Sequence, residues 1–585
     1  MTRLARIAAH PVLVASAVAA VLHVLWWWLL ANSGGDIAAQ DAWAEFARDH
    51  PGSAYTFAWY GGMHPVSYSV LSPYLMAALG VRTTMMVAGT LSSGLLALLL
   101  VRSRAIERPL WPALYGALAF AGNAVSGRVT FGLGALFALA AVAVVFAWPS
   151  RWRTDRRWHR VLRGLAAALL AATATAASPV AGLFLGIAAA ALWLDRRRPA
   201  AYALGVPPVL VVALSAWLFP FSGQQPMHFG SAVLPFLTGV ALWLLAPKGW
   251  RSVRIGAAVY AVAVLAVWLI PSPIGTNVSR LGLTFGGVLL VAVATRRRRT
   301  RPLPVRRWVS AALATVLLAV AITTSTVWQV ATAARDAITT STPAAWAIDI
   351  KPLIAELARR DARFGRVEVV PSRSHAESSA LAPYANLARG WNRQADAERN
   401  PLFYGDELLT PTAYHDWLHR WAVHYVVLPV GAPDAAAAQE AALVASGLPY
   451  LRHVWSNASW RLYEVRDPAP LADEPAVVTS FDATGVTLYL PRAADVVVRI
   501  PDSPWLSLLD GTGSPIAPPE VQPDLSVVNV DGCLSIGPVP AVDGQPEDDW
   551  TVLHAPKAGT YRIAAPYKLP RGTACPDAML EPAAP

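Results

Sequence analysis

Residues 66–80, VSYSVLSPYLMAALG, decide how many times the chain crosses a membrane and which side its loops face. The stretch is apolar, yet it is 15 residues long with Pro73 in its middle. A helix needs about 20 residues to cross roughly 30 Å of hydrocarbon. Counting 66–80 as a crossing inverts every later loop and moves the arginine clusters to the opposite side. The stretch is therefore predicted as an interfacial or re-entrant helix on the outer side, a place where irregular backbone survives only if protein or water satisfies it.

Working outward, apolar runs near 11–31, 83–101, 109–126, 128–148, 161–177, 179–194, 201–219, 231–246, 254–270, 281–295 and 308–330 read as about eleven spans. The arginines test this reading. Arg3 and Arg6, Arg102 to Arg108, Arg151 to Arg163, Arg196 to Arg198, Lys248 to Arg254 and Arg296 to Arg307 fall on one side if the spans alternate. They hold 24 of the 29 basic residues before position 336, and the positive-inside rule makes that side the cytoplasm. The expected setting is a bacterial plasma membrane, with the N-terminus inside and everything after residue 330 outside. A second expected break is SPVAG at 178–182, which divides a long apolar run into two half-length helices.

Composition agrees. The chain is 55% apolar over 585 residues, and its mean hydropathy of +0.40 excludes an ordinary soluble globular protein. Residues 1–335 carry 29 Lys and Arg against 7 Asp and Glu, whereas the remainder carries 19 against 30. Positive charge clustered between apolar runs marks a polytopic membrane protein and argues against a nucleic-acid partner.

The expected fold class is a polytopic α-helical membrane domain followed by an extracytoplasmic α/β domain and a β-sandwich. The membrane domain is predicted over 1–335, with an outer loop at 32–65. Residues 336–470 alternate helical and strand patterns, as in LIAELARRDA and RVEVV. Residues 471–585 read as short strands with Pro/Gly turns. Cys533 and Cys575, the only cysteines, both lie there, and an extracytoplasmic setting predicts a disulfide between them.

Four of the seven acids before position 336 fall in NSGGDIAAQDAWAEFARDH, residues 32–50. Asp41, Glu45 and Asp49 follow each other at i, i+4 and i+8, which puts them on one solvated face of a helix. Asp36 precedes that helix; it suits an N-cap, and capping is compatible with catalysis. The other polar groups expected on the outer side are His64, Asn123, Arg128, His228, Asn277 and Arg280. Arg128 stands in an otherwise apolar stretch, where a charge has a partner, a task or a path to the interface. Carboxylates facing isolated arginines suit a reaction on a phosphate-bearing lipid, with the guanidinium groups on the phosphate and a carboxylate taking a proton. The histidines also suit structural roles. No Cys/His/Asp spacing marks a zinc site, and a divalent cation on loop carboxylates is not readable from spacing. In the outer part, LARGWNRQADAERNPLFYGDE, residues 387–407, combines Arg389, Trp391, Asn392, Arg393, Asp396 and Tyr404, a mix that fits either glycan binding or an interdomain hydrogen-bond network.

An Asp-bearing outer loop after the first span, an amphipathic stretch before the second, many spans and a C-terminal outer domain together resemble the GT-C superfamily, including actinobacterial integral membrane proteins of that type. The resemblance covers the whole layout. It implies a membrane glycosyltransferase that takes a sugar from a polyprenyl-phosphate donor and passes it to a glycan or other envelope acceptor. The superfamily's loop acid, a general base or metal ligand, corresponds most naturally to Asp36, with Asp41 second. Many members have adjacent acids; here GGDIAAQDAW sets the two five positions apart. The resemblance then implies donor-phosphate binding by Arg128 and Arg280, with His64, Asn123, His228, Asn277 and Trp391 lining the substrate.

Two other readings stand beside it. A transporter usually carries ionisable groups deep in its helices, and the central parts of these spans show essentially none. A membrane scaffold whose outer domains bind envelope polymers needs no catalytic acid at all.

Overall fold

The computed structural model describes residues 10–30, 36–149, 157–220, 223–296, 311–340, 350–405, 409–522, 527–542 and 544–580. Arg3, Arg6, Arg151, Arg153, Arg156 and Arg297 to Arg307 of the basic clusters lie outside the described residues. The chain divides into two compact units: residues 1–40 with 66–342, and residues 41–65 with 343–585.

The first unit is helical. Each of the eleven expected spans coincides with a helix. Eight are long and apolar enough to cross a membrane: Pro11–Leu29, Val81–Ser103, Val129–Phe146, Arg157–Ala177, Arg198–Leu218, Arg251–Leu269, Gly275–Ala294 and Ala312–Ile338. Three are shorter apolar helices of 16 or 17 residues: Leu110–Val125, Pro179–Leu194 and Phe229–Leu245. Their cores include a cluster of aliphatic and aromatic side chains around Leu96, Phe120, Phe131, Val264 and Val288. One ionisable side chain does lie well inside a span, contrary to the sequence reading. His23 is fully buried in Pro11–Leu29, its Nδ1 2.7 Å from the Ala19 carbonyl, and burial is possible because Gly89 on the neighbouring helix leaves room for the ring.

Residues 66–80 form a short helix, Ser72–Leu79, after a single 3-10 turn at Pro65–Ser67. Eight residues rise about 12 Å, too little for a crossing. What holds it is the break at SPVAG. The helix Arg157–Ala177 ends there, leaving carbonyls without intrahelical donors. Ser69 Oγ and Ser72 Oγ each donate to the Ala177 carbonyl at 2.8 Å, and the Leu71 amide donates to Ala176 at 3.0 Å. The two irregular stretches singled out from sequence thus satisfy each other.

The second unit takes in part of the expected outer loop. The loop assigned to 32–65 of the membrane domain belongs to that unit only through Gln40. From residue 41 on, its backbone hydrogen bonds go elsewhere. Ala54 donates to Ala565 at 2.7 Å, Phe57 to Ala483 at 3.0 Å, and Leu387 to Ala58 at 2.9 Å. Tyr55, Phe57, Trp59 and Tyr60 are buried by these contacts. The sequence reading missed this because the partners lie more than 300 residues away.

Residues 350–465 fold as α/β. The sheet has strand order β1-β2-β4-β3, with β1 (Arg366–Val369) parallel to β2 (Val423–Pro429) and the pairings of β3 (Leu451–Ser456) and β4 (Trp460–Val465) antiparallel. The remainder forms three antiparallel sheets, the smallest a two-stranded ladder of β9 (Glu520–Val521) and β10 (Val527–Val528). Of the larger two, one joins β5 (Val477–Asp482), β6 (Gly485–Leu490), β13 (Gly559–Ala564) and β8 (Ser507–Leu509); the other joins β11 (Cys533–Val539), β12 (Asp548–Ala555) and β7 (Ala494–Pro501). Alternate residues such as Val486, Leu488 and Leu490, or Val496, Val498 and Ile500, are buried, so each of these two sheets has one core face. Cys533 and Cys575 form a disulfide.

Candidate functional site

The helical unit brings Asp36, Arg128 and Arg280 together, and adds Asp336. Four separate pieces of chain deliver them.

Asp36 opens the helix Ile37–Asp49, and its carbonyl accepts the first helical bond from Gln40 at 3.2 Å. Its amide donates to the Ser126 carbonyl at 3.3 Å, which ties the loop to the turn after Leu110–Val125. That turn needs Gly127. Its φ is +70°, and a Cβ there would come within 2.9 Å of the Asp36 nitrogen. The same turn presents Arg128 one residue later, at the start of Val129–Phe146. Asn123 braces it: the side-chain amide donates to the Arg128 carbonyl at 3.2 Å.

Arg280 sits on a short helical turn, Ser279–Leu281, between a 3-10 turn and a π-helical segment, Gly282–Gly286. Such π insertions interrupt the regular ladder and commonly occur at functional sites. Tyr260 brackets the turn; its hydroxyl donates to the Val278 carbonyl at 3.2 Å and accepts from the Gly282 amide at 3.1 Å. The preceding loop is fastened by Asn277, whose amide donates to Gln225 Oε1 at 3.3 Å, and by Gln225 donating to Thr276 Oγ1 at 3.2 Å.

Two ion pairs result. Arg280 Nη2 lies 3.5 Å from Asp36 Oδ2, with side chains 12% and 22% exposed. Arg128 Nη2 lies 3.4 Å from Asp336 Oδ2, with side chains 18% and 27% exposed. Arg280 and Asp36 both act electrostatically on Arg128, as does Tyr68. The Arg280 guanidinium also lies over the Phe131 ring, 5.8 Å from its centroid. Each pair is long and single-pronged, so each guanidinium keeps donors for another anion. Asp36 faces a guanidinium rather than a second carboxylate. That donor set does not fit a divalent cation, which takes several oxygen ligands, and among the described residues no group of three or more His, Cys, Asp or Glu is placed to hold a metal.

The other residues singled out from sequence make contacts of their own. Asn123 and Asn277 are braces of the two arginine-bearing turns. His228 is exposed at the start of Phe229–Leu245. Asp41, Glu45 and Asp49 fall in the second unit and do share a face: burial, then Asp49, pushes the Glu45 carboxyl up, and Asp41 adds to this. His64 is buried in the second unit, with Nδ1 2.9 Å from the Ala54 carbonyl and Nε2 3.1 Å from Ser503 Oγ. Burial pushes its imidazole down to about 4, so the ring is neutral and both nitrogens have structural partners.

Trp391 is half-buried in the second unit, next to Asn392, whose side chain caps the helix Arg393–Arg399. The rest of that segment builds a buried network. Arg389 donates to Asp396 from Nε at 3.0 Å and from Nη2 at 2.7 Å, and from Nη1 to Glu440 at 2.8 Å. Glu368 is 3.5 Å from Nη1. Tyr404 and Asn400 donate to Asp396 at 2.7 and 2.9 Å, and Tyr414 to Glu440 at 3.0 Å. Burial, then the charge of Glu440, holds the Glu368 carboxyl well above the usual range. Arg389, Asp396 and Tyr404 thus belong to a hydrogen-bond network whose named partners all lie between residues 368 and 440.

Asp336 was missed. It lies one position past the acid-poor stretch 1–335, near the end of the last long apolar helix, and its proximity to Arg128 is a tertiary fact. The one signal in the sequence was a carboxylate at the end of a span.

Residues 473–581 match a family model described as a domain of unknown function, DUF8823. No curated protein is matched by sequence. Among solved structures, the chain is similar to the oligosaccharyltransferase of Archaeoglobus fulgidus in the apo form, at 12% identity and a TM-score of 0.44, over 72% of this chain and 70% of that one. It is also similar to ArnT from Cupriavidus metallidurans, at 13% identity over 77% of this chain and 97% of that one, with a TM-score of 0.39 for the apo state and 0.37 for the form bound to undecaprenyl phosphate.

Proposed function

We propose that the protein is a membrane glycosyltransferase that moves a sugar from a polyprenyl-phosphate donor to a cell-envelope acceptor on the outer face of the membrane. The observation that carries this reading is the convergence of Asp36, Arg128 and Arg280 from three distant stretches of an acid-poor helical unit, with both guanidinium groups held by single long contacts. Two arginines suit the donor phosphate, because a planar guanidinium matches its oxygens. Asp36 suits the base.

The chemistry balances. The acceptor hydroxyl oxygen forms a bond to the anomeric carbon as its proton passes to Asp36. The bond between that carbon and the phosphate oxygen breaks, and its electron pair leaves with the polyprenyl phosphate. Arg128 and Arg280 stabilise the charge that grows on the leaving phosphate, where fixed donors act most strongly. Attack opposite the leaving group inverts the anomeric centre.

The test uses the purified full chain, a polyprenyl-phosphate sugar labelled in the sugar, and envelope glycans as acceptors. The expected result is labelled glycan with an equal amount of polyprenyl phosphate. Absence of product together with solute counterflow in proteoliposomes would contradict the proposal and favour transport.

A further inference from the structure

Asp336 has no part in the displacement just described, yet it occupies one of the two arginines that the reaction needs. Its Oδ2 is 3.4 Å from Arg128 Nη2 and its side chain is 27% exposed, so it is neither deeply locked nor fully solvated. A second carboxylate beside a phosphate-binding guanidinium opposes anion binding. It therefore needs a reason beyond neutralising Arg128, which Asp36 already approaches electrostatically.

Charge supplies the reason. Arg128, Arg280, Asp36 and Asp336 cancel to zero. The phosphodiester of a lipid-phosphate sugar brings one negative charge. During transfer the proton lands on Asp36, which becomes neutral, while the released phosphate monoester carries about −1.5 to −2 charges near neutral pH. Asp336 is then the carboxylate of the cluster that still bears charge, and it repels the product more than it repelled the donor. A lipid diphosphate meets the same repulsion on arrival.

We infer that Asp336 is a specificity-determining residue: paired to Arg128, it matches the site to a singly charged lipid phosphodiester and disfavours lipid phosphates of higher charge. This rests on the reading of the cluster as a donor-phosphate site. Two consequences follow in the same direction, faster release of the lipid-phosphate product and rejection of lipid-diphosphate carriers.

The experiment measures binding of undecaprenyl monophosphate and undecaprenyl diphosphate to the full chain in nanodiscs. Asp336→Asn should tighten the diphosphate about tenfold, the scale of one removed like charge at a partly screened site, and the monophosphate by less. Asp336→Glu should keep the wild-type ratio of the two affinities. Asp336→Ser gives a second neutral variant, and thermal unfolding identifies any variant that fails to fold. If wild type binds the lipids and neutral variants leave the ratio unchanged, or weaken the diphosphate, Asp336 has no such role and the parent reading survives. If wild type binds neither lipid, the donor-phosphate reading and this inference fall together.

Discussion

The helical unit and the C-terminal unit both set arginines against carboxylates, and the two arrangements have little else in common. In the C-terminal unit, Arg389 is 3% exposed, makes contacts of 2.7 to 3.1 Å with Asp396 and Glu440, and lies over the Phe403 ring 3.9 Å from its centroid. In the helical unit, Arg128 and Arg280 each meet one carboxylate, at 3.4 and 3.5 Å, with both partners partly open. A short, multiply bonded and dry arrangement is committed to its partners, because removing one leaves a bare buried charge. A long, single contact in partial solvent holds charge in place without using its bonding capacity. The first is architecture, and the second leaves guanidinium donors open, as the proposed donor-phosphate role of Arg128 and Arg280 requires.

Substitutions at the arginines give the sharpest contrast. Arg389→Ala should destabilise the C-terminal unit by about 3–5 kcal/mol, since Asp396, Glu440 and Glu368 lose their cation together; thermal unfolding of the full chain measures it, and a loss under about 1 kcal/mol would undo the contrast. Arg128→Ala and Arg280→Ala should leave the unfolding temperature nearly unchanged. Each should instead weaken binding of undecaprenyl phosphate by roughly 2 kcal/mol, or about thirtyfold, the worth of a charge-assisted contact. Equal damage to stability and binding would make these two arginines architectural as well.

Gly127→Ala tests the join between the Asp36 loop and the Arg128 turn. A φ of +70° and a Cβ within 2.9 Å of the Asp36 nitrogen should cost about 1–2 kcal/mol. Activity should fall more than stability, because Asp36 and Arg128 move apart; a variant with wild-type turnover would show that their spacing is unimportant.

The smallest effect concerns pH. Burial holds the His64 imidazole down at about 4, against 6.5 when unfolded. The folded state then binds fewer protons than the unfolded state between those values. His64 thus adds full stability above 6.5 and loses it as the pH falls towards 4, a drop of about 1 kcal/mol at pH ~5.5. His64→Gln should remove this part of the pH dependence of unfolding, and an unaltered profile would show that another group titrates there.

Much of this was legible because the membrane limits what a sequence can do. Apolar runs of span length have few alternatives to helix, and Pro73 with a 15-residue run was enough to keep 66–80 from being counted as a crossing. Asp36, Arg128 and Arg280 stood out because charges are scarce in that half. What stayed hidden depended on partners far away in the chain. Nothing local shows that Tyr55 and Trp59 pack with residues beyond 370, that Asn123 and Asn277 serve as braces, or that Asp336 turns towards Arg128. The mixed segment 387–407 was ambiguous for the same reason, since a glycan site and a buried network use identical residues and differ only in burial.

The proposed role of Asp36 can be tested in one comparison. Turnover of a polyprenyl-phosphate sugar is measured for wild type, Asp36→Asn and Asp41→Asn, each with its unfolding temperature. Asp36→Asn should lose about 10²–10⁴-fold in rate, the range for a general base, with the fold intact, while Asp41→Asn should stay near wild type. Full activity of a folded Asp36→Asn protein would contradict the mechanism.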